Sequence, residues 1–322
     1  MSFSREFLKN KISRGAFVKL CFSLLAGLTL GGMLTKRSYP ASKPSNKRPK
    51  RSVNGKYDIV AVKGEDPYQM TVKALDAIGG MGQFVKKGDI VVIKPNIGWD
   101  RGVEQAANTN PLVVAALVEL CFKSGAKRVN VFDIPCNSAQ RCYENSGISK
   151  AAREKGADVY FVDDWNFINA NFSYPSPMEG WPIFKDAVQC DTFINVPVLK
   201  NHGLTGLTLS MKNLMGVCGG NRGQIHRDIG KKLVDLTDFI NPELTVIDAY
   251  RVLTANGPSG GNLDDVILMK TVIAGTDPTL ADVYAAKMVN KDPLSVPYIS
   301  EAVKRNFGKS DIGKARILEL AA

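Results

Sequence analysis

Short apolar runs alternate with amphipathic stretches along nearly all of the chain after residue 56, and that alternation fixes the class of fold. The runs YDIVAVK (57–63), DIVVIK (89–94), RVNVFD (128–133), ADVYFVD (157–163) and DTFINVPV (191–198) read as strands. So do LTVID (244–248), VILMKTVIA (266–274) and a last segment at 317–320. Most are near-continuous in apolar residues, so both faces of each strand are expected to be buried. Between them lie helical stretches at 68–78, 111–123, 149–155, 228–240, 279–288 and 298–305. Asn110 is placed to cap the second of these, with Pro111 at its first position. The alternation predicts an α/β fold, a mostly parallel sheet with helices on both faces in a single large domain. Ligands in such folds sit beyond the carboxyl ends of the strands. That points to the segments after Lys94, Asp133, Asp163, Val198, Asp248 and Ala274. Residues 165–190, rich in aromatic side chains and proline, read as a lid, a small insertion or an ordinary packed excursion.

Charge is distributed unevenly. Twelve of the 42 Lys and Arg residues, but one of the 31 Asp and Glu, fall in residues 1–51, so that segment carries the whole formal net charge of +11. The remainder is neutral, and nucleic-acid binding needs a concentrated basic surface. No nucleic-acid partner is expected. Residues 1–19 are polar and basic, and Leu20–Leu34 form an uncharged apolar run of 15 residues. A spanning helix usually needs roughly 20. A basic region followed by a short apolar one reads as a signal peptide or signal anchor over residues 1–37. Residues 38–55 read as a basic Pro/Ser/Lys linker, extended and solvated, and 56–322 as the α/β domain. The string SRGAFVK (13–19) resembles a twin-arginine export signal, with Gly15 where the second arginine would stand. An exported or membrane-anchored body follows, on the periplasmic or other extracytoplasmic side, touching the membrane through its N-terminal segment.

The body has five cysteines, Cys121, Cys136, Cys142, Cys190 and Cys218, with no pair at CxxC spacing. That pattern argues against a disulfide framework, a zinc ribbon and a ferredoxin-type cluster run. A bound iron–sulfur cluster is not expected in this chain, and Cys218 reads as an ordinary thiol.

Both histidines of the chain, His202 and His226, fall in one window. His202 follows a predicted strand and His226 precedes a predicted helix, whose N-terminus can attract an anion. Lys200, Lys212, Asn213, Arg222 and a glycine-rich turn (216–223) share the window. Histidine titrates near neutrality and binds metals when neutral, so both residues are candidates for acid/base work or metal ligation. Lys94 and Asn96 end the DIVVIK strand, and Asp248 ends LTVID. Lys94, Asn96, Lys200, Lys212, Asn213 and Arg222 are the expected ligand-binding residues. His202, His226 and Asp248 are the expected catalytic set, and the same three would be the ligands of a divalent metal.

These strings together carry a resemblance. KPN (94–96), D-x-x-x-N-x-P-x-L-K-x-H (191–202), L-S-M-K-N-L-M-G (209–216), His226 and Asp248 followed by G-P-x-x-G (257–261) resemble the family known as domain of unknown function 362. The likeness runs from about Lys56 to the helix at 282–289. Members of that family are often fused to ferredoxin-like iron–sulfur modules, and many carry twin-arginine leaders. The resemblance implies that the lysine, asparagine, histidine and aspartate positions above form the site. Three functions fit the sequence: an enzyme acting on a small anionic ligand bearing phosphate or carboxylate; a redox-associated protein that handles an iron–sulfur or metal centre with a partner protein; and a non-catalytic exported binding protein.

Overall fold

The computed structural model describes residues 44–322 apart from Asn54, Asp163 and Asp164. The apolar run at 20–34 and the twin-arginine-like string at 13–19 lie outside the described residues. Among the described residues no helix is long and apolar enough to cross a membrane.

The strands are β1 (Ile59–Lys63), β2 (Ile90–Pro95), β3 (Arg128–Val131), β4 (Asp158–Val159), β5 (Phe167–Asn169) and β6 (Pro182–Phe184). They continue with β7 (Thr192–Val196), β8 (Val198–His202), β9 (Gly206–Thr208), β10 (Leu244–Leu253), β11 (Val266–Gly275) and β12 (Ile317–Ala321). The helices are α1 (Pro67–Ile78), α2 (Pro111–Lys123), α3 (Ala139–Asn145), α4 (Ile148–Glu154) and α5 (Lys185–Gln189). After them come α6 (Ser210–Asn213), α7 (Ile229–Ile240), α8 (Pro278–Met288) and α9 (Pro297–Lys304). The main sheet runs β12-β1-β11-β10-β7-β2-β3-β4, with β8 beside β10 and β9 beside β8. Pairing is parallel from β10 through β7, β2 and β3 to β4, and also between β1 and β12. Only β11, wedged antiparallel between β1 and β10, and the β8–β9 hairpin depart from it.

Successive residues along the strands feed opposite cores. Val60, Val62, Val91, Ile93, Ile194 and Val196 pack with α1 to α4, while Ile59, Ala61, Val92 and Phe193 pack with α5 to α9. Double-sided burial is what near-continuous apolar strands require. Each fully buried Val or Ile contributes about 1.5–3 kcal/mol of transfer free energy. The helices start where the sequence places caps: Asn110 accepts from Leu112 N ahead of Pro111, and Asp277 accepts from Thr279 N and Leu280 N ahead of Pro278.

Four expectations change. The run 191–198 is two strands, because Pro197 has no N–H to give to the ladder; the chain resumes as β8 and ends at His202. LTVID does not end at Asp248, since β10 continues to Leu253 with β11 and β8 on either side. The strand expected over 157–163 is only two residues long, Asp158–Val159, and Asp163 lies outside the described residues. The segment expected as a solvated linker is seated on the domain from residue 44 onward. Arg48 is fully buried and pairs with Glu243, and Arg51 pairs with Asp89. Their acceptors lie at the amino-terminal ends of β10 and β2, opposite the edge that carries the site. The 165–190 excursion is packed: its β5–β6 hairpin and α5 contribute Phe184 and Ala187 to the core.

Candidate functional site

Three strand ends converge at the carboxyl edge of the sheet. Lys94 is next to last in β2, Asp133 stands two residues past β3, and His202 closes β8. With them, Lys200, Lys212, Asn213, Arg222 and His226 line a cleft of about 460 Å³. Asn96 lines it too, and the loop after β10 closes one side with Gly257 and Pro258. Trp99, Ile134, Leu204 and Met215 make the walls largely apolar.

The floor is a hydrogen-bonded network. Lys94 Nζ lies 2.8 Å from Asp133 Oδ1, with the two side chains 1% and 3% exposed. It also donates to Asn213 Oδ1 at 3.0 Å. Asn213 accepts again from Asn96 Nδ2 at 3.1 Å, and its own Nδ2 donates to Lys94 O and Asn195 Oδ1. Both ends of Asn213 are therefore spent on holding β2, β7 and α6 in register. Gly216 lies where this network comes closest to the backbone. A Cβ there would stand 1.7 Å from Asp133 Oδ1 and 2.6 Å from Lys94 Nζ, so no larger residue fits without displacing the ion pair.

The other cations are arranged differently. Arg222 donates to the carbonyls of Ile134 and Pro135, both at 2.7 Å, and so fixes the loop that carries Cys136. Lys200 donates to Ala107 O and to Asn96 Oδ1. Lys212 is 8% exposed, and the one hydrogen-bond partner of its Nζ among the described residues is Met215 Sδ at 3.4 Å. Among the described residues the cleft thus holds four basic side chains against one carboxylate, and that carboxylate is committed to Lys94.

The imidazoles of His202 and His226 stack, with centroids 6.0 Å apart and an interplanar angle of 21°. Their environments assign them different tautomers. His202 Nδ1 accepts from Leu204 N at 3.1 Å and Thr205 N at 3.4 Å, which leaves the proton of the neutral ring on Nε2. His226 Nδ1 lies 3.3 Å from Gly223 O, a carbonyl that can only accept, so Nδ1 carries the proton and Nε2 keeps a lone pair. One ring presents a donor and its neighbour an acceptor.

Asp248 does not join them. Its carboxylate sits within β10, accepts from Asn110 N at 2.7 Å and Tyr250 N at 3.0 Å, and does not line the cleft. Burial raises its pKa to about 6. The expected triad of His202, His226 and Asp248 is therefore not assembled, either as a catalytic set or as metal ligands. Among the described residues no group of three or more His, Cys, Asp or Glu side chains is gathered to hold a metal. The segment after Ala274 is absent from the site because β11 runs antiparallel and ends at the opposite edge. Asp133, Trp99 and Cys136 were not among the expected site residues. The rule of carboxyl strand ends flagged the position of Asp133, whereas nothing in the local sequence distinguishes Trp99 or Cys136.

Residues 91–287 match the family described as domain of unknown function (DUF362). This chain belongs to the DUF362 family. It is 30% identical over 232 residues to a thylakoid-associated protein of Synechocystis sp., an alignment covering 69% of this chain and 70% of that one. Among solved structures, the lactate racemase apoprotein from Thermoanaerobacterium thermosaccharolyticum aligns with a TM-score of 0.43 at 14% identity. That alignment covers 71% of this chain and 56% of the racemase. A Thermotoga maritima protein aligns with a TM-score of 0.31 at 11% identity over 60% of this chain and 52% of its own. Every cleft residue from Lys94 to Pro258 falls inside the DUF362 match.

The electrostatics of the DUF362 cleft keep both rings neutral. Burial first, then the charge of Lys212, the repulsion a protonated His226 would exert and the charge of Lys200, lowers the His202 pKa to about 3. Burial and Lys212 lower that of His226 as well. The folded value for His202 lies below the ordinary histidine value of about 6.5. Between the two, the unfolded chain binds more protons than the folded one, so stability rises with pH across this window and is lost on acidification. His202→Asn keeps an acceptor for Leu204 N but cannot titrate. It is expected to flatten the rise in unfolding free energy between pH 4 and pH 7, read from urea transitions at each pH; an unaltered slope would rule out a buried neutral His202.

Proposed function

We propose that the cleft binds a small anion bearing a phosphate or carboxylate and carries out proton transfer on it. The observation that carries this reading is the cation excess: Lys212 is nearly buried with no carboxylate partner among the described residues, beside two neutral imidazoles. A desolvated cation without a counter-charge is costly, and an anionic ligand relieves that cost. In this reading Lys212 and Lys200 hold the anionic group, and Lys94, Asn96, Asn213 and Arg222 keep the walls in place. His202 Nε2–H donates to the oxygen on which charge develops. His226 Nε2 takes and returns the proton.

Calorimetric titration with inorganic phosphate and with small carboxylates tests the binding half. Lys212→Met is expected to weaken binding at least tenfold, because a charge-assisted hydrogen bond in a buried site is worth about 1.5–3 kcal/mol. His226→Ala should bind with little change while losing turnover. Equal affinity in wild type and Lys212→Met would overturn the reading.

The N-terminal segment belongs to the same proposal. Its confinement of the net positive charge and its apolar run support an exported or membrane-anchored body, as does the thylakoid association stated for the Synechocystis relative. Cell fractionation of chains with and without residues 1–37 tests this, with loss of membrane recovery expected on truncation.

A further inference from the structure

We propose that Lys212 is an amine nucleophile, and that the anion the cleft accepts carries a carbonyl group with which Lys212 forms an imine. The inference rests on the anion-binding reading above and deepens it. The three lysines of the cleft differ in what they have left to offer. Lys94 is neutralised by Asp133 at 2.8 Å and held by Asn213. Lys200 Nζ is anchored to the carbonyl of Ala107 and to Asn96 Oδ1. Lys212 has neither a carboxylate nor a carbonyl on its Nζ among the described residues, only the thioether of Met215 at 3.4 Å. It is nonetheless 8% exposed and faces the cleft. A lysine placed among other cations and cut off from water loses its proton readily, which is how such amines are made nucleophilic. Burial, opposed by Cys136 and reinforced by Arg222 and Lys94, brings Lys212 to about 8, so a usable fraction is the free amine near neutrality.

The surroundings supply the rest of the step. The Lys212 lone pair attacks the carbonyl carbon, a C–N bond forms, and the carbonyl π electrons move to oxygen. The Nε2–H of His202 donates a hydrogen bond to that oxygen as its charge develops. His226 Nε2 accepts the two protons that nitrogen sheds, one at addition and one at dehydration, and returns each in turn to the departing oxygen, which leaves as water. Amine and carbonyl become imine and water, with no change of oxidation state. Lys200, its pKa lowered to about 7 by burial and by the charge of Lys212, takes up its proton beside the carboxylate of the same molecule and holds it, its Nζ kept in place by Ala107 O and Asn96 Oδ1. The apolar walls formed by Trp99, Ile134 and Met215 shield the imine from hydrolysis. The substrate class is a small oxo acid.

Pyruvate with cyanoborohydride as the trapping reductant tests this on the full-length protein at pH 7. The expected result is one adduct per chain, with the mass of pyruvate less water plus two hydrogens, located by peptide mass spectrometry on Lys212. Labelling there should exceed that of any other lysine at least tenfold, and Lys212→Arg, verified as folded by its thermal transition, should abolish it. Pyruvate and phosphate binding are measured in parallel by calorimetry without reductant. If either anion binds but no adduct forms on Lys212, or label spreads evenly over surface lysines, imine formation is overturned while the anion reading stands. An adduct that persists on Lys200 in folded Lys212→Arg overturns the assignment to Lys212. If neither anion binds and no adduct forms, the anion reading falls and the imine with it.

Discussion

Asp133→Asn is expected to lower the unfolding free energy by about 3–5 kcal/mol, the usual cost of breaking a buried ion pair by removing one partner. Asp133 is fully engaged: Oδ1 meets Lys94 Nζ at 2.8 Å and accepts from Ile134 N at 2.9 Å, and Oδ2 accepts from Ile97 N at 2.7 Å. Asparagine keeps the shape, removes the charge and turns one acceptor into a donor facing donors. Lys94 would be left buried with only Asn213 as partner. Urea denaturation gives the loss directly. The double variant Lys94→Met with Asp133→Leu should recover much of it, because two charges replaced by apolar groups leave no stranded ion. A single-variant loss below about 1 kcal/mol would mean that the pair is not carrying charge in the folded state. Since the pair forms the floor of the cleft, the single variant should also lose phosphate binding at temperatures where it remains folded.

Arg48→Met is expected to have an effect of the same size at the other edge of the sheet. Arg48 and Glu243 are both completely buried. Glu243 also accepts from Phe193 N at 2.8 Å and Arg51 N at 3.1 Å, so it ties the amino-terminal segment to the start of β10 and to β7. Removing Arg48 leaves the Glu243 carboxylate buried with backbone donors alone, again at about 3–5 kcal/mol. A chain starting at residue 56 should show the same deficit relative to one starting at residue 44. Equal thermal transitions for the two would return residues 44–55 to the status of a linker.

Much of the fold could be read locally. Helix α2 has the limits that its Asn-Pro start and apolar pattern imply, 111–123. Most of the apolar strand runs appear where expected, because a segment that must be buried on both faces leaves little freedom in its composition. What escaped local reading has a common cause. Arg48 and Glu243 are separated by 195 positions, and Arg51 and Asp89 by 38, so a stretch rich in Lys, Pro and Ser gives no sign of its acceptors. Asp248 looks like a strand end because a charged residue interrupts an apolar run. It is tolerated inside β10 because the backbone amides of Asn110 and Tyr250 meet it, one of them 138 positions away.

The site divides in the same way. By itself the sequence determined the class of fold, the neutrality of the body, and the window in which both histidines, Lys200, Lys212, Asn213 and Arg222 fall. These follow from composition and from the short-range periodicity that secondary structure imposes. Only the tertiary structure decided that His202 and His226 stack, that Lys94 is neutralised by Asp133 while Lys212 has no carboxylate among the described residues, and that Asp248 stands apart. Parallel strands bring together residues far apart in the chain at one carboxyl edge, and the charge and free hydrogen-bonding capacity of each depend on which strand lies next to it.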